Sequence, residues 1–202
     1  MPEDEKNALA KPYWVGKVVR LRGIEPHDAE YHFALNQQRG VDRNQDQVFP
    51  PGSLARTRKW AEAASEVGFK DGDAFLFEIE SLATGEVVGS IDMHDMNARV
   101  GVLSYGIAIH EDHRRKGYAS DAVCLVLRYY FLERRYQKAN VGVFSFNQGS
   151  MTLHERLGFK LEGRQRRTTY TAGEFHDMLW YGMTVEEFCD LHPDYLYDLG
   201  DD

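Results

Sequence analysis

Cysteine is scarce in this chain. Cys124 and Cys189 are the only two among 202 residues, which excludes a disulfide-stapled scaffold and fits two free thiols in a reducing compartment. Positive charge is also short: 24 Lys and Arg stand against 32 Asp and Glu, a net charge of −8. That balance argues against a nucleic-acid surface and is compatible with a cationic partner. No apolar run is long enough to cross a bilayer. The opening Met-Pro-Glu-Asp-Glu-Lys carries charge where a secretory leader would carry an apolar stretch, so a cytoplasmic protein without membrane attachment is expected. The G-x-x-x-x-G-K-[ST] run of nucleoside-triphosphate loops and the dinucleotide fingerprint G-x-G-x-x-G are both missing. His110, His113 and His154, with Asp92 and Asp95, lack compact ligand spacing such as H-E-x-x-H, so no metal site is expected. There are no internal repeats.

What is present suits one packed domain: 43% hydrophobic and 12% aromatic residues. Residues 1–16 read as a loose arm, with Tyr13 and Trp14 able to tuck onto the body. Alternation over residues 17–22 predicts a first strand. Pro26 opens a helix that reaches about Asn36. The polar stretch 37–53, closing in Pro50-Pro51-Gly52, is a loop, and Ser53 caps a helix over 54–66. Residues 74–80, 87–96 and 102–109 form an antiparallel meander, the first two strands joined by Thr84-Gly85-Glu86. After a long helix ending near Arg134-Arg135, where the arginines complement the helix dipole, come a strand over 139–146 and a helix from Asn147 to Gly158. A closing hairpin spans 160–171 and 174–182. The acidic, aromatic tail from residue 184 holds a short helix over 185–191 and is where a homodimer contact would form.

The most informative stretch is 106–131. A short apolar strand, Ile107 to Ile109, runs into a polar turn and then Arg114-Arg115-Lys116-Gly117. An amphipathic helix follows, with Ala119, Ala122, Val123, Val126, Tyr130 and Phe131 at helical spacing. The first turn of a helix has unpaired N–H groups and the positive dipole end. With Gly117 allowing close approach and three cations beside it, this is an anion cradle suited to phosphate; the same residues also fit a merely solvated turn.

The pattern Arg114-x-x-Gly117-x-Ala119, placed between a strand and a helix, resembles the coenzyme A loop [QR]-x-x-G-x-[GA] of the GNAT superfamily of N-acyltransferases. Downstream, Asn147-x-x-Ser150 followed by Leu157-Gly158-Phe159 resembles that superfamily's second coenzyme A motif, although helix capping alone also accounts for Asn147 and Gly158. The likeness covers residues 17–183 and within the superfamily looks most like the RimJ/RimL-type branch, which also holds polyamine acetyltransferases. It implies an α+β fold: a central mixed, mostly antiparallel twisted sheet of about seven strands with about four helices, strands 4 and 5 splayed to hold acyl-CoA. It implies domain limits of 1–16 for the arm, 17–183 for one acetyltransferase domain and 184–202 for the tail. Acetyl-CoA would be the co-substrate. A β-bulge in the fourth strand would free the backbones of Ile107, Ala108 and Ile109 for the thioester and pantetheine. The pyrophosphate would lie on Arg115, Lys116, Gly117, Tyr118, Ala119 and Ser120, with Arg114 and Lys116 reaching it through side chains. Asn147 would hold the pantetheine arm.

The reaction so implied needs a neutral amine, a stabilised oxyanion and a leaving thiol. Many relatives place a Tyr four residues before the helix-ending Gly as the acid; here that slot holds His154, which is either the acid or a packing residue. Ser150 either bonds coenzyme A or the tetrahedral intermediate, or is an ordinary first-turn residue. For the base, Asp92 and His94 share one strand face by period-two spacing, and Glu78 is a further candidate. Each also fits a solvent-facing charge. The expectation is an acetyl-CoA-dependent N-acetyltransferase acting by direct transfer on a primary amine: a protein N-terminus, a polyamine or an amine-bearing small molecule. A non-catalytic acyl-CoA sensor would share the cradle and Asn147 without turnover.

Overall fold

The computed structural model describes residues 12–36, 50–67 and 72–196. Most of the stretch read as a 37–53 loop lies outside the described residues. So do residues 1–11 and 197–202. Seven strands form one sheet: β1 (Val19–Arg22), β2 (Leu76–Ser81), β3 (Val87–Asn97), β4 (Val102–Ile109), β5 (Lys138–Phe144), β6 (Lys160–Thr171) and β7 (Glu174–Thr184). Their spatial order is β1-β2-β3-β4-β5-β7-β6. Every neighbouring pair is antiparallel except β4 with β5. This is the expected mixed sheet. Among the described residues five α-helices accompany it: α1 (Ala29–Leu35), α2 (Leu54–Ser65), α3 (Tyr118–Arg128), α4 (Gln148–Leu157) and α5 (Val185–Leu191).

Alternation along the strands makes two unlike faces. Leu21, Ile79, Ile91, Leu103 and Val141 point to one side and share a core with Ala122–Leu127 of α3 and Phe188 of α5. The other face carries Arg20, Arg22, Glu78 and Glu80 on β1 and β2, tied together by Arg20–Glu80 and Arg22–Glu80 contacts at 2.7 and 3.1 Å. A small cluster of Ile24, Ala29 and Ala61, with Ala64 and Leu76 beside it, seats α1 and α2 there.

Several ties hold outlying segments to the core. Trp14 stacks on Phe77 and Tyr129 at centroid distances of 4.8 and 4.9 Å. The buried carboxylate of Asp121 on α3 accepts the N–H groups of Val18 and Val19 at 2.6 and 2.9 Å through Oδ2. Its Oδ1 accepts the Tyr195 hydroxyl at 2.7 Å. A Cβ on Gly16 would lie 2.4 Å from Asp121 Oδ1, so the backbone comes this close only at glycine. Thr184 and Glu187 form a capping box for α5, and Phe188 packs edge-on to Phe131 at 5.6 Å. Past α3, a π turn over Tyr129–Glu133 brings Arg134 onto Asp73. That arginine is committed to an ion pair, not only to the helix dipole.

Candidate active site

β4 and β5 pair only at their beginnings, Val102↔Lys138, Leu103↔Ala139 and Ser104↔Asn140. Beyond Ser104 the strands part, because β4 stays in register with β3 and β5 with β7. A wedge opens between them. Which backbone groups face it follows from parity. His110 donates its N–H to Val88 O at 3.0 Å, so His110, Ala108, Gly106 and Ser104 are the residues bonded to β3. Tyr105, Ile107 and Ile109 turn their N–H and C=O groups into the wedge. Ala108, expected to offer its backbone there, spends it on β3 instead. The expected β4 bulge is displaced as well: pairing with β3 is unbroken from Gly89↔Ile109 to His94↔Ser104, and the register shifts between His94 and Asn97, where Asp95 adopts φ 47°. The splay alone, without a bulge, frees the N–H groups of Ile107 and Ile109.

The loop after β4 makes a 3-10 turn over Glu111–His113 and then two left-handed residues, Arg115 at φ 61° and Gly117 at φ 84°. The first backbone bond of α3 runs from Asp121 N–H to Gly117 O at 3.1 Å. No described backbone carbonyl accepts from Tyr118, Ala119 or Ser120, whose N–H groups therefore point out of the helix start. Arg115 and Lys116 are exposed beside them. Arg114 turns back, donating Nε–H to Ile109 O at 3.1 Å and lying 3.7 Å from Glu111. It braces the end of β4 rather than reaching outward. Across the wedge, Asn147 Oδ1 accepts the N–H of Ser150 at 3.0 Å and caps α4, which Gly158 ends at φ 93°.

His154 is fully buried among Tyr105, Phe159 and Tyr181. Its Nδ1 lies 2.8 Å from Ser150 O and so carries the proton, leaving Nε2 as an acceptor without a partner among the described residues. Burial pushes its pKa down to about 4, with the Ser150 carbonyl offsetting only part of that shift. At neutral pH an imidazole with its single proton on Nδ1 has none to give from Nε2. The linkage has a definite sign. Below pH ~6.5 the unfolded chain binds a proton that the folded one refuses until about 4, so stability falls with pH across that window. The loss is about 3 kcal/mol for this group. Urea unfolding at pH 7 and pH 4 is expected to show that much less acid destabilisation in His154→Phe than in the parent; equal losses in both would refute the assignment.

The opposite sheet face gathers the candidate bases. Asp92 pairs across the sheet with Leu76 on β2 and with Gly106 on β4. A Cβ on Gly106 would sit 2.8 Å from Asp92 Oδ1, so the carboxylate leans over β4 toward the wedge, in space that glycine leaves open. Asp92 Oδ2 lies 3.0 Å from His94 Nδ1, and that hydrogen bond raises the imidazole pKa. Glu78 is placed differently: it is fully buried, with Oε1 2.5 Å from His32 Nε2 and Oε2 without a partner among the described residues. It anchors α1 instead of facing the wedge. His32 was missed by sequence reasoning. Its spacing from Ala29 and Leu35, the other buried residues of α1, is the signal that would have found it. Among the described residues no group of three or more His, Cys, Asp or Glu is arranged to hold a metal ion. No described helix is long and apolar enough to cross a membrane.

A seven-stranded mixed sheet opened between β4 and β5, with a helix N-terminus at the mouth, matches known proteins. The family described as acetyltransferase (GNAT) domain matches residues 19–160. The SPbeta prophage-derived uncharacterized N-acetyltransferase YokL of Bacillus subtilis (strain 168) is 38% identical over 180 residues, covering 89% of this chain and 97% of its own. Spermidine N-acetyltransferase from Vibrio cholerae, solved with CoA and spermine, superposes at a TM-score of 0.73 with 20% identity, over 84% of this chain and 97% of that one. RimL, a ribosomal L7/L12 alpha-N-protein acetyltransferase solved with CoA, also reaches 0.73, with 18% identity over 85% and 96% of the two chains. These last two likenesses speak for the fold. The chain belongs to the GNAT acetyltransferase family. It is an N-acetyltransferase, and acetyl-CoA is the acetyl donor that this family uses.

Proposed function

We propose that this enzyme transfers the acetyl group of acetyl-CoA to a primary amine that enters the wedge from the α1–α2 face. The carboxylate of Asp92, leaning over Gly106 toward the parted strands, is the observation that carries this reading. On the other side of the wedge, the outward N–H groups of Tyr118, Ala119 and Ser120, with Arg115 and Lys116, would hold the donor's pyrophosphate. The amide NH₂ of Asn147 would hold its pantetheine arm, since the Ser150 N–H engages only the Oδ1 of that side chain. The N–H groups of Ile107 and Ile109 would stabilise negative charge on the carbonyl oxygen as the amine attacks.

The arriving amine, with a pKa near ~10, is mostly protonated at neutral pH. Asp92 binds that ammonium, and His94, oriented by Asp92, takes its proton. The departing thiol has a pKa of ~8.5 and needs little help; the half-buried Ser150 hydroxyl supplies a hydrogen bond where His154 cannot. The equal likeness to a spermidine enzyme and to RimL does not single out the RimJ/RimL-type branch. Thiol release from acetyl-CoA in the presence of spermidine, N-terminal peptides, aminoglycosides or arylalkylamines tests the proposal. Release that depends on an amine is expected. Acetyl-CoA that binds without release under any amine would return the weight to a non-catalytic acyl-CoA binder.

A further inference from the structure

Asp92 faces two ways. Toward β4 it overhangs Gly106; toward β2 its neighbour is Leu76, which lines a cavity of about 460 Å³ between α2 and the start of β2. That volume is in the range of small-molecule pockets. Its walls include Ile24, Trp60, Ala64, Phe75 and Leu76, and Asp92 is the single charged side chain among the described residues that line it. Three other described carboxylates of this face are already taken. Glu78 is bound by His32, Glu80 by Arg20 and Arg22, and Asp28 by Arg22 at 2.7 Å. A polyamine would need a carboxylate for each of its further nitrogens, and a polyhydroxylated amine would need polar walls. The cavity provides one anionic rim and an apolar, aromatic interior.

We infer that the acceptor is an amphipathic primary amine, whose nitrogen is held at Asp92 beside the wedge while an apolar or aromatic group a few bonds away fills the cavity under α2. This rests on the reading of Asp92 as the amine's contact. Both an arylalkylamine and a peptide N-terminus with a large apolar first residue have this chemistry. Polycations and amino sugars do not. Burying a phenyl-sized group contributes about 1.5–3 kcal/mol, so the apolar group is expected to raise kcat/KM about 10- to 100-fold.

The test compares thiol release with phenethylamine against ethylamine, and with a Phe-initiated tripeptide against its Ser-initiated counterpart; spermidine and kanamycin are run alongside. The first pair reports a small-molecule acceptor and the second a peptide. At least about a 10-fold preference is expected within one pair. In Ala64→Trp, which fills the cavity, that preference is expected to fall toward unity through a rise in KM for the apolar acceptor. Ala64→Leu makes the same comparison with a smaller intrusion should the first variant misfold. A preference near unity in the parent, or one untouched by either filling, overturns the inference. Release with spermidine or kanamycin alone overturns it while leaving the amine reading intact. Silence from every amine with acetyl-CoA still bound overturns both.

Discussion

Asp92→Asn is expected to lower kcat/KM for the amine about 100-fold while leaving the KM for acetyl-CoA within about twofold, because it removes both the ammonium's counter-charge and the partner that orients the general base His94, an effect on the scale of general acid–base catalysis. Asparagine keeps the shape that fits above Gly106, so the loss measures charge rather than packing. The pH profile adds a readout that a packing role would not move. The hydrogen bond that His94 donates to Asp92 raises the imidazole pKa above its ordinary value, so in the parent the rising limb of kcat/KM lies on the alkaline side of ~6.5. Without the carboxylate the imidazolium loses its partner, and that limb should move to lower pH even as its height falls. Steady-state kinetics across pH 5.5 to 9 reads both effects. An unchanged kcat/KM, or a limb that stays in place, would remove Asp92 and His94 from the chemistry.

The largest effect on stability should come from a pair that touches no substrate. Glu78 Oε2 already lacks a partner among the described residues, and among them His32 supplies the contact to Oε1, at 2.5 Å. His32→Ala therefore leaves a fully buried carboxyl group with neither oxygen bonded, a change that costs about 3–5 kcal/mol. For a chain of this size that is a fall in Tm on the order of 10 °C. Trp60 also loses the ring it meets edge-on at 4.7 Å, so α2 should loosen with α1. The double variant His32→Ala/Glu78→Leu is expected to recover part of the loss, since it removes the stranded group along with its partner. Equal melting of the single and double variants would show that the cost lies in packing alone.

Much of this architecture was legible before any coordinates. Strand limits at 102–109 and the helix start at Tyr118 follow from period-two and helical spacing interrupted by Gly117. The capping pair Asn147 and Gly158 marked both ends of α4. These signals are local, and local signals survive in a sequence. The misreadings have one cause. Whether Ala108 or Ile107 faces the wedge depends on how β4 registers against β3, and registration joins residues far apart in the chain. Likewise the motif left His154 as either an acid or a packing residue, and its depressed pKa comes from Tyr105, Phe159 and Tyr181 closing around it. Glu78 reads as a further candidate base from its strand alone, and its tie to His32 comes from a helix 46 residues away in the chain. The leaning of Asp92 is visible only once Gly106 is known to lie beneath it.

The threefold grip of Asp121 bears on how the protein is made. Its carboxylate holds Val18 and Val19, synthesised 103 and 102 residues earlier, and Tyr195, synthesised 74 residues later. At translation rates of ~5–20 residues per second, Tyr195 leaves the ribosome on the order of 4–15 s after Asp121. β7, which must slide between β5 and β6, is also among the last segments to emerge. Until then the nascent chain carries α3 fastened on one side and β5 with a bare edge open to wrong partners. The helix end that presents the cradle is therefore written in the middle of the message but matures only at its close, and a stalled or clipped chain would carry the acetyl-donor motif without the grip that sets it.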